Sequence, residues 1–239
     1  QIKVSEIRQL TPIIHQTPLY QYRVIILSLA EQLNTAAANA LLKNLEEPSP
    51  QTLFLLISHQ SHLIPATISS RCQRITIPPA TVQQTEAFLQ DTVDNAIDMH
   101  LAARLAEGAP LKIQQWLAQD LLSVRRQLLD DWFKVAKQQI DPLVAASNAQ
   151  SLAPLFLTDS LLSILRDMIQ YQLYPTQDLS RNVDYINDIQ QRSQNVAIDQ
   201  LYRIVDLFLQ LRKFNHQQIA VNPLLQLEQI YCLWAAKIN

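Results

Sequence analysis

Two short runs of consecutive apolar residues constrain this chain more than any other feature. They span Val24 to Leu27 and Leu53 to Ile57, and such runs are typical of strands buried on both faces of a parallel sheet. Between them, Asn34 is a suitable N-cap for a helix, which Pro48 and Pro50 end. The apolar positions of that helix recur every four residues, at Ala37, Leu41 and Leu45. The pattern predicts one β-α-β crossover.

The residues around this crossover extend it at both ends. Pro65 suits the first turn of a short helix through Ile68, and Gln73 to Ile77 is interpreted as a third strand. Upstream, Gln1 to His15 carries apolar residues at three- and four-residue intervals, which predicts a helix that Pro12 distorts. The first 79 residues therefore predict an α/β domain.

The carboxyl ends of the two strands are the expected place for chemistry, because ligands of open parallel sheets bind there. Ser28 and Leu29 follow the first strand, and Ser58 follows the second. A nucleotide-hydrolysing P-loop protein needs carboxylates at such positions to hold magnesium and orient water. The hydroxyl of Ser28 and the isobutyl group of Leu29 can neither hold magnesium through a charge nor orient water. His59 and His62 lack acidic or cysteine partners at ligand spacing, so we interpret them as surface loop residues.

Glycine is nearly absent, and this excludes one class of site. Gly108 is the one glycine in 239 residues, so the sequence contains no glycine-rich phosphate loop. The formal net charge of −2 excludes a generally basic, polyanion-binding chain. Cys72 and Cys232 match no zinc spacing and are predicted to be free thiols of a reducing cytosol. No apolar run approaches the ~20 residues of a membrane span.

Two motifs carry a resemblance to a known family. The run LNTAAANALLKNLEEP spans Leu33 to Pro48, and the triplet Ser-Arg-Cys occupies residues 70–72. Together with the strand runs, they resemble the clamp-loader branch of the AAA+ ATPases, most closely its delta′ subfamily from bacterial DNA polymerase III. The resemblance implies a role in loading the sliding clamp onto primed DNA during replication.

The resemblance also implies that the nucleotide site is degenerate. Active subunits of the family keep an acidic pair where this chain has Ser28 and Leu29. Ser58 takes the position of the residue that senses the γ-phosphate, although we expect its hydroxyl to cap the next turn instead. In the preferred register Leu111 replaces a second sensor arginine, with Lys112 one residue away.

The same resemblance gives Arg71 a catalytic role. In clamp loaders the arginine of the Ser70, Arg71, Cys72 motif projects into the ATP site of the adjacent subunit, as an arginine finger in trans. A guanidinium suits this task, because its permanently charged planar fork can meet two phosphate oxygens. Cys72 is expected to be a small packing residue.

From Ala80 onward the sequence shows only helical periodicities. Thr81 with Gln84 predicts a capping box at the start of a first helix. A second helix is expected from about Asp94 to Ala106, and Gly108 ends it. Pro110 begins a third helix. The resemblance divides the chain into the C-terminal part of an AAA+ core (residues 1–79), a helical lid (80–120) and a helical collar that oligomerises (121–239).

The collar residues predict a series of amphipathic helices. Within the first of them, Arg125, Arg126, Lys134 and Lys137 are interpreted as a solvated basic face with acidic neighbours. After the first helix, which begins at about Leu121, the predicted helices run near Leu143 to Ala149, Leu152 to Leu173, Leu179 to Ser193, Val196 to Phe214 and Pro223 to Ile238.

Together, these expectations describe a stator subunit of the clamp loader that does not hydrolyse ATP. Its holoenzyme is a nucleotidyltransferase, but the subunit is expected to have no catalysis of its own. The implied partners are the motor (gamma/tau) and delta subunits of a heteropentamer, the sliding clamp and primed DNA, in the bacterial cytoplasm. The chain is expected to hold no cofactor, because ATP binds to neighbouring subunits and zinc to an N-terminal segment of the family that precedes residue 1. We accordingly expect a fragment.

Two alternatives stay open. The chain could be a motor subunit of the same family that binds or hydrolyses ATP, or a free-standing helical interaction protein that retained a decayed ATPase half for its shape.

Overall fold

The computed structural model describes residues 2–14, 16, 20–90, 98–175, 180–217 and 222–236. The chain folds into two compact units, residues 1–77 and residues 78–239. The elements of the first unit are helix α1 (Val4–Ile14), strand β1 (Arg23–Leu27), helix α2 (Thr35–Glu46), strand β2 (Thr52–Leu56) and helix α3 (Ala66–Ser69). Single turns of 3₁₀ helix follow the two strands, over Ala30–Gln32 and Ser61–Leu63.

The predicted β-α-β crossover is confirmed. Strands β1 and β2 pair in parallel, with Arg23 opposite Thr52 and Leu27 opposite Leu56. Asn34 caps α2, because its side-chain oxygen accepts a hydrogen bond from the backbone N–H of Ala37 at 2.7 Å. This bond satisfies one of the donors that the first turn of a helix leaves without a partner.

The sheet is covered on one face only, and the expectation of strands buried on both faces is wrong for the described residues. Ile25 and Leu27 are buried, and Leu27 joins a core built from the first three helices. The alternate side chains point the other way and are exposed, namely Val24, Ile26, Leu53 and Leu55. The burial therefore alternates along each strand, as it does in a sheet with one open face.

Residues 73–77 do not form the predicted third strand. Ile75 is 79% exposed and Ile77 is 86% exposed, and β1 and β2 alone make up the sheet among the described residues. An extended segment becomes a strand only where a neighbouring backbone supplies a ladder of hydrogen bonds. No such neighbour is found for this segment in the described part of the chain, and apolar residues alone do not make a strand.

The second unit is entirely helical in its described residues. Its first three helices are α4 (Val82–Gln90), α5 (Met99–Ala106) and α6 (Pro110–Ala118). The predicted capping box is present, since Thr81 N–H donates to Gln84 Oε1 at 2.9 Å and Gln84 N–H donates to Thr81 Oγ1 at 3.2 Å. The predicted start of the next helix at Asp94 lies outside the described residues, and Asp98 caps α5.

Gly108 ends α5 as predicted, and its conformation explains why a glycine stands there. Its φ is +79°, a region that glycine enters without steric cost. Its carbonyl accepts a hydrogen bond from the N–H of Ala80 at 3.2 Å, which ties the end of α5 to the start of the unit. A Cβ at this position would lie 2.4 Å from the Cβ of Pro79.

Six further helices complete the second unit, close to the predicted positions. Leu179 and Ile238, two of the predicted boundaries, lie outside the described residues. The helices are α7 (Leu121–Ala136), α8 (Pro142–Gln150), α9 (Pro154–Leu173), α10 (Ile186–Ser193), α11 (Ile198–Gln217) and α12 (Pro223–Ala235), with a 3₁₀ turn at Val183–Tyr185. None of the described helices is long and apolar enough to cross a membrane.

Two hydrophobic clusters hold these helices together. One lies among α4, α5 and α6 and includes Phe156 of α9, whose ring meets Trp116 edge to face at 5.1 Å. The larger cluster is formed by α7 to α12 and centres on Trp132 and Trp234, both fully buried. Aromatic side chains of this size dominate the energetics of a helical core.

Arg125 corrects the expectation of a solvated basic face. Its side chain is 2% exposed and donates to both carboxylate oxygens of Asp184 and to the side-chain oxygen of Asn182 at 2.5 Å. Asn182 in turn donates to the buried carboxylate of Asp167 at 2.8 Å. The burial of the arginine is possible because these partners, 57 and 59 residues away in sequence, supply a counter-charge and accept hydrogen bonds.

Candidate functional site

The strand ends carry the residues that the sequence predicts there. Ser28 and Leu29 follow β1 in an exposed turn, and Leu29 adopts the left-handed conformation with φ 56°. The turns after the two strands are joined, because Ile57 N–H donates to the Leu27 carbonyl and Ala30 N–H donates to the Ile57 carbonyl, each at 2.9 Å. These bonds bring Ser58 to the same edge of the sheet.

Ser58 caps the turn after β2, as expected. Its hydroxyl accepts a hydrogen bond from the backbone N–H of Gln60 at 3.1 Å. His59 and His62 are exposed on the same loop. Among the described residues, no group of three histidine, cysteine or carboxylate side chains is placed to hold a metal ion.

Glu31 is a residue of this edge that the sequence reasoning missed. A hydrogen bond from the Ser58 side chain lowers the pKa of the Glu31 carboxyl below its usual value, with a smaller contribution from the charge of His59. The signal was available, because Glu31 is the one acidic residue between the end of β1 and the cap of α2. The edge therefore carries an ionised carboxylate, two residues after Leu29.

Arg71 lies against the last residue of α2. Its Nε–H donates to Glu46 Oε1 at 2.6 Å, and Nη2 forms an ion pair with the same oxygen. Its Nη1 donates to the carbonyl oxygen of Thr67 at 2.9 Å and to Ser70 Oγ at 3.3 Å. All three guanidinium nitrogens are thus held, while 36% of the side chain remains exposed.

Helix α2 separates Arg71 from the strand ends. The crossover leaves the carboxyl end of β1 and returns to the amino end of β2, so α2 runs antiparallel to both strands. Its 12 residues span about 18 Å at 1.5 Å per residue. Glu46 and Arg71 therefore lie at the amino edge of the sheet, whereas Ser28, Leu29 and Ser58 lie at the carboxyl edge.

The neighbours of Arg71 in the triplet have structural contacts. Ser70 Oγ donates to the Thr67 carbonyl at 3.2 Å. Cys72 is half-buried against the core of the first unit, and burial raises the pKa of its thiol. A raised pKa disfavours the reactive thiolate, in line with the expectation of a packing residue.

Leu111 and Lys112 stand in the first turn of α6, in the second unit. The Leu111 side chain is 70% exposed. The Lys112 ammonium lies 3.3 Å from Asp159 Oδ2 and 5.0 Å from the centre of the Trp116 ring. The lysine is thus engaged within its own unit, whereas Leu111 presents an apolar side chain to solvent.

Two family models match the chain. The model described as "DNA polymerase III, delta subunit" matches residues 1–81, and "DNA polymerase III, delta subunit, C terminal" matches residues 119–235. The chain is 34% identical to DNA polymerase III subunit delta′ of Pseudomonas aeruginosa, over 98% of this chain and 73% of that protein. The chain belongs to the DNA polymerase III delta′ family.

Other delta′ subunits agree with this assignment. Identity is 30% to delta′ of Haemophilus influenzae, over 79% of this chain and 60% of that protein, and 26% to delta′ of Bacillus subtilis, over 94% and 70%. A solved structure titled as a DNA polymerase III gamma subunit-related protein of Thermotoga maritima superposes with a TM-score of 0.43 at 18% identity, covering 98% of this chain and 79% of that one.

Membership in the delta′ family confirms the resemblance drawn from the Leu33 to Pro48 run and the Ser-Arg-Cys triplet. The residues that the first family model matches include both motifs, together with Glu31 and Glu46. The roles of the individual residues stay predictions.

Proposed function

We propose that this delta′ chain is a stator subunit of the DNA polymerase III clamp loader, which does not hydrolyse ATP itself and supplies Arg71 in trans to the ATP site of a neighbouring subunit. The observation that carries the proposal is the position of Arg71. It lies at the amino edge of the sheet, about 18 Å, the length of α2, from the chain's own strand-end edge. An exposed guanidinium at that edge is available to a phosphate held by another subunit.

The chemistry of Arg71 fits this role. Phosphoryl transfer spreads negative charge over the transferred group, and an arginine finger stabilises that charge. A guanidinium carries a permanent charge on a planar fork that can offer two parallel N–H donors to phosphate oxygens. Arg71 is fixed on its own subunit by Glu46 and Thr67, so its charge is already oriented before a phosphate arrives.

The strand-end edge supports the lack of hydrolysis in this chain. Ser28 and Leu29 occupy the turn in which a motor subunit needs carboxylates for magnesium and water. The exposed Leu111 offers no charge to a phosphate. With one glycine in the chain, residues 1–239 supply no phosphate loop either.

The proposed assembly follows from the family. The partners would be gamma/tau and delta subunits in a heteropentamer, with residues 121–239 as the collar, and the complex would engage the sliding clamp and primed DNA in the cytoplasm. ATP would be bound by the neighbouring subunits, and this chain itself would hold no cofactor. Any DNA contact would be made through phosphate-positioning groups of the complex.

The test is steady-state ATP hydrolysis by the reconstituted clamp loader with clamp and primed DNA, using the complete delta′ protein as wild type and as Arg71→Ala. An arginine finger contributes about 10³ to 10⁵ in rate at its own site, but one of several sites depends on this one. We expect a partial fall in hydrolysis and a larger fall in clamp loading.

Arg74→Ala is the matched control, because Arg74 is an exposed arginine three residues further along the same segment. It is expected to leave both rates unchanged. Size-exclusion chromatography checks that every variant still assembles. Unchanged hydrolysis and loading with Arg71→Ala would show that Arg71 is structural and that the proposal is wrong.

One observation favours a second candidate function, a subunit that binds nucleotide. Glu31 is held ionised beside Ser58 at the strand-end edge, and a carboxylate there is a ligand of the kind that magnesium prefers. Binding of labelled ATP and magnesium to the complete protein alone distinguishes the two functions. Binding that Glu31→Gln weakens would support nucleotide binding, and no binding would leave the stator proposal.

A further inference from the structure

Helix α2 ends with two carboxylates in an unfavourable place. Glu46 is its last residue and Glu47 is its C-cap. The C-terminal end of a helix carries a partial negative charge, so carboxylates there oppose the helix dipole. A nearby cation offsets the unfavourable charge of such a carboxylate, and for Glu46 that cation is Arg71.

The contact is too exposed to matter much for folding. The Arg71 side chain is 36% exposed and the Glu46 side chain is 47% exposed. Ion pairs between such groups contribute little to stability, because water and salt screen them. What the contact does accomplish is geometric: it fixes the plane of the guanidinium through Nε and Nη2 while the Thr67 carbonyl holds Nη1.

A long arginine side chain without such contacts populates many rotamers, and it loses this conformational entropy when it binds a phosphate. A group that is fixed beforehand loses less entropy on reaching the transition state. Supporting contacts of this kind commonly determine how well a functional side chain performs.

We infer that Glu46 is a positioning residue for Arg71, which holds the guanidinium in the orientation in which it meets the γ-phosphate of a neighbouring subunit. This inference rests on the proposed function of Arg71 as a finger in trans. Glu46 itself touches no substrate. Its carboxylate accepts from Nε and Nη2 of the guanidinium, and this contact leaves the second N–H of Nη2 for a phosphate oxygen.

The expected size of the effect follows from the strength of the contact. Exposed pairs are worth up to about 1 kcal/mol, which corresponds to about a fivefold change in rate. We therefore expect Glu46→Ala to lower the hydrolysis that depends on Arg71 by about two- to fivefold. Because the guanidinium acts in the transition state, the change belongs in kcat, with the KM for ATP unchanged.

The experiment is a double-mutant cycle in the reconstituted clamp loader with clamp and primed DNA. It compares the complete delta′ protein as wild type, Glu46→Ala, Arg71→Ala and the double variant. If Glu46 acts through Arg71, its removal has no further effect once Arg71 is gone, so the double variant matches Arg71→Ala. Independent effects would multiply instead.

Glu47→Ala is the matched control, because it removes the same charge from the same turn and its carboxylate does not occur among the described contacts of Arg71. It is expected to match the wild type. Glu46→Gln keeps one acceptor oxygen without the charge and is expected to fall between wild type and Glu46→Ala. Thermal unfolding of each variant, followed by circular dichroism, separates a loss of orientation from a loss of fold.

Several outcomes would overturn the inference. A fall in Arg71→Ala with no fall in Glu46→Ala would show that the carboxylate does not position the finger. A higher hydrolysis rate in Glu46→Ala would show that Glu46 restrains Arg71. An equal fall in the rate when Glu46→Ala is added to the wild type and to Arg71→Ala would show that Glu46 acts elsewhere. If Arg71→Ala itself leaves hydrolysis unchanged, the proposed function has failed first, and the positioning role fails with it.

Discussion

The indole rings of Trp132 and Trp234 stack with their centroids 4.6 Å apart, and the Trp234 Nε1–H donates to the backbone carbonyl of Trp132 at 2.7 Å. The Arg192 guanidinium also lies over the Trp234 ring, 4.7 Å from its centre. Helix α12 is therefore anchored to α7 by packing and by a buried hydrogen bond, and to α10 by a cation–π contact.

Replacing Trp234 should destabilise the second unit strongly. Trp234→Ala removes a fully buried ring and is expected to cost about 3–5 kcal/mol in the free energy of unfolding. Urea denaturation followed by circular dichroism measures this value. Leu225→Ala on the same helix is the control, since its side chain is 59% exposed, and it should change the free energy by less than about 0.5 kcal/mol. A similar small change for both variants would contradict the anchoring role.

Breaking the buried ion pair of Arg125 should be costly. Asp184→Asn leaves the arginine, which is 2% exposed, without its counter-charge, and we expect a loss of about 3 kcal/mol in the free energy of unfolding. Asp188→Asn is matched to it, because Asp188 pairs with the half-exposed Lys137. That change should cost at most about 1 kcal/mol, and equal losses by chemical denaturation would argue against the burial of Arg125.

Gly108→Ala should destabilise the second unit through backbone strain and a clash. The left-handed conformation, with φ +79°, costs a residue with a Cβ about 1–2 kcal/mol, and the new Cβ would approach the Cβ of Pro79. Gln138→Gly makes the opposite change at φ 59° and is expected to be neutral or to stabilise by up to about 1 kcal/mol. The melting temperature should therefore fall for Gly108→Ala and stay the same or rise for Gln138→Gly, and a neutral Gly108→Ala would exclude the clash.

The Glu31 carboxyl should titrate below its usual range. Since its pKa in the folded chain is lowered by the Ser58 hydrogen bond, ionised Glu31 contributes stability above its unfolded pKa of about 4.3. That contribution is lost as the pH falls through the folded pKa. Carboxyl ¹³C chemical shifts measured against pH should show the low value, and Ser58→Ala should raise it. An unchanged midpoint in Ser58→Ala would exclude the hydrogen bond as the cause.

Local sequence signals predict the local parts of this structure well. The Asn34 cap, the Thr81 and Gln84 capping box and the glycine end of α5 each depend on residues a few positions apart, and each was predicted from that spacing. The crossover was predicted too, because the apolar runs and the helical period between them leave few other solutions.

The errors concern partners that are distant in sequence. Arg125 resembles a surface residue until Asp184, 59 residues later, is known to face it. The segment 73–77 has the composition of a strand, but no backbone pairs with it in the part of the chain that the structure describes. Glu46 and Arg71 lie 25 residues apart, and no periodicity links the end of a helix to the turn after another helix.

Helix α2 also makes the two edges of the first unit mechanically dependent on each other. Its inner face is packed through Ala37, Ala38 and Leu41, and its ends are fixed by the Asn34 cap and by the contact of Glu46 with Arg71. Close-packed interiors are hardly compressible and transmit strain from one element to the next. A displacement of the turn after β1 along this axis would therefore carry Arg71 with it.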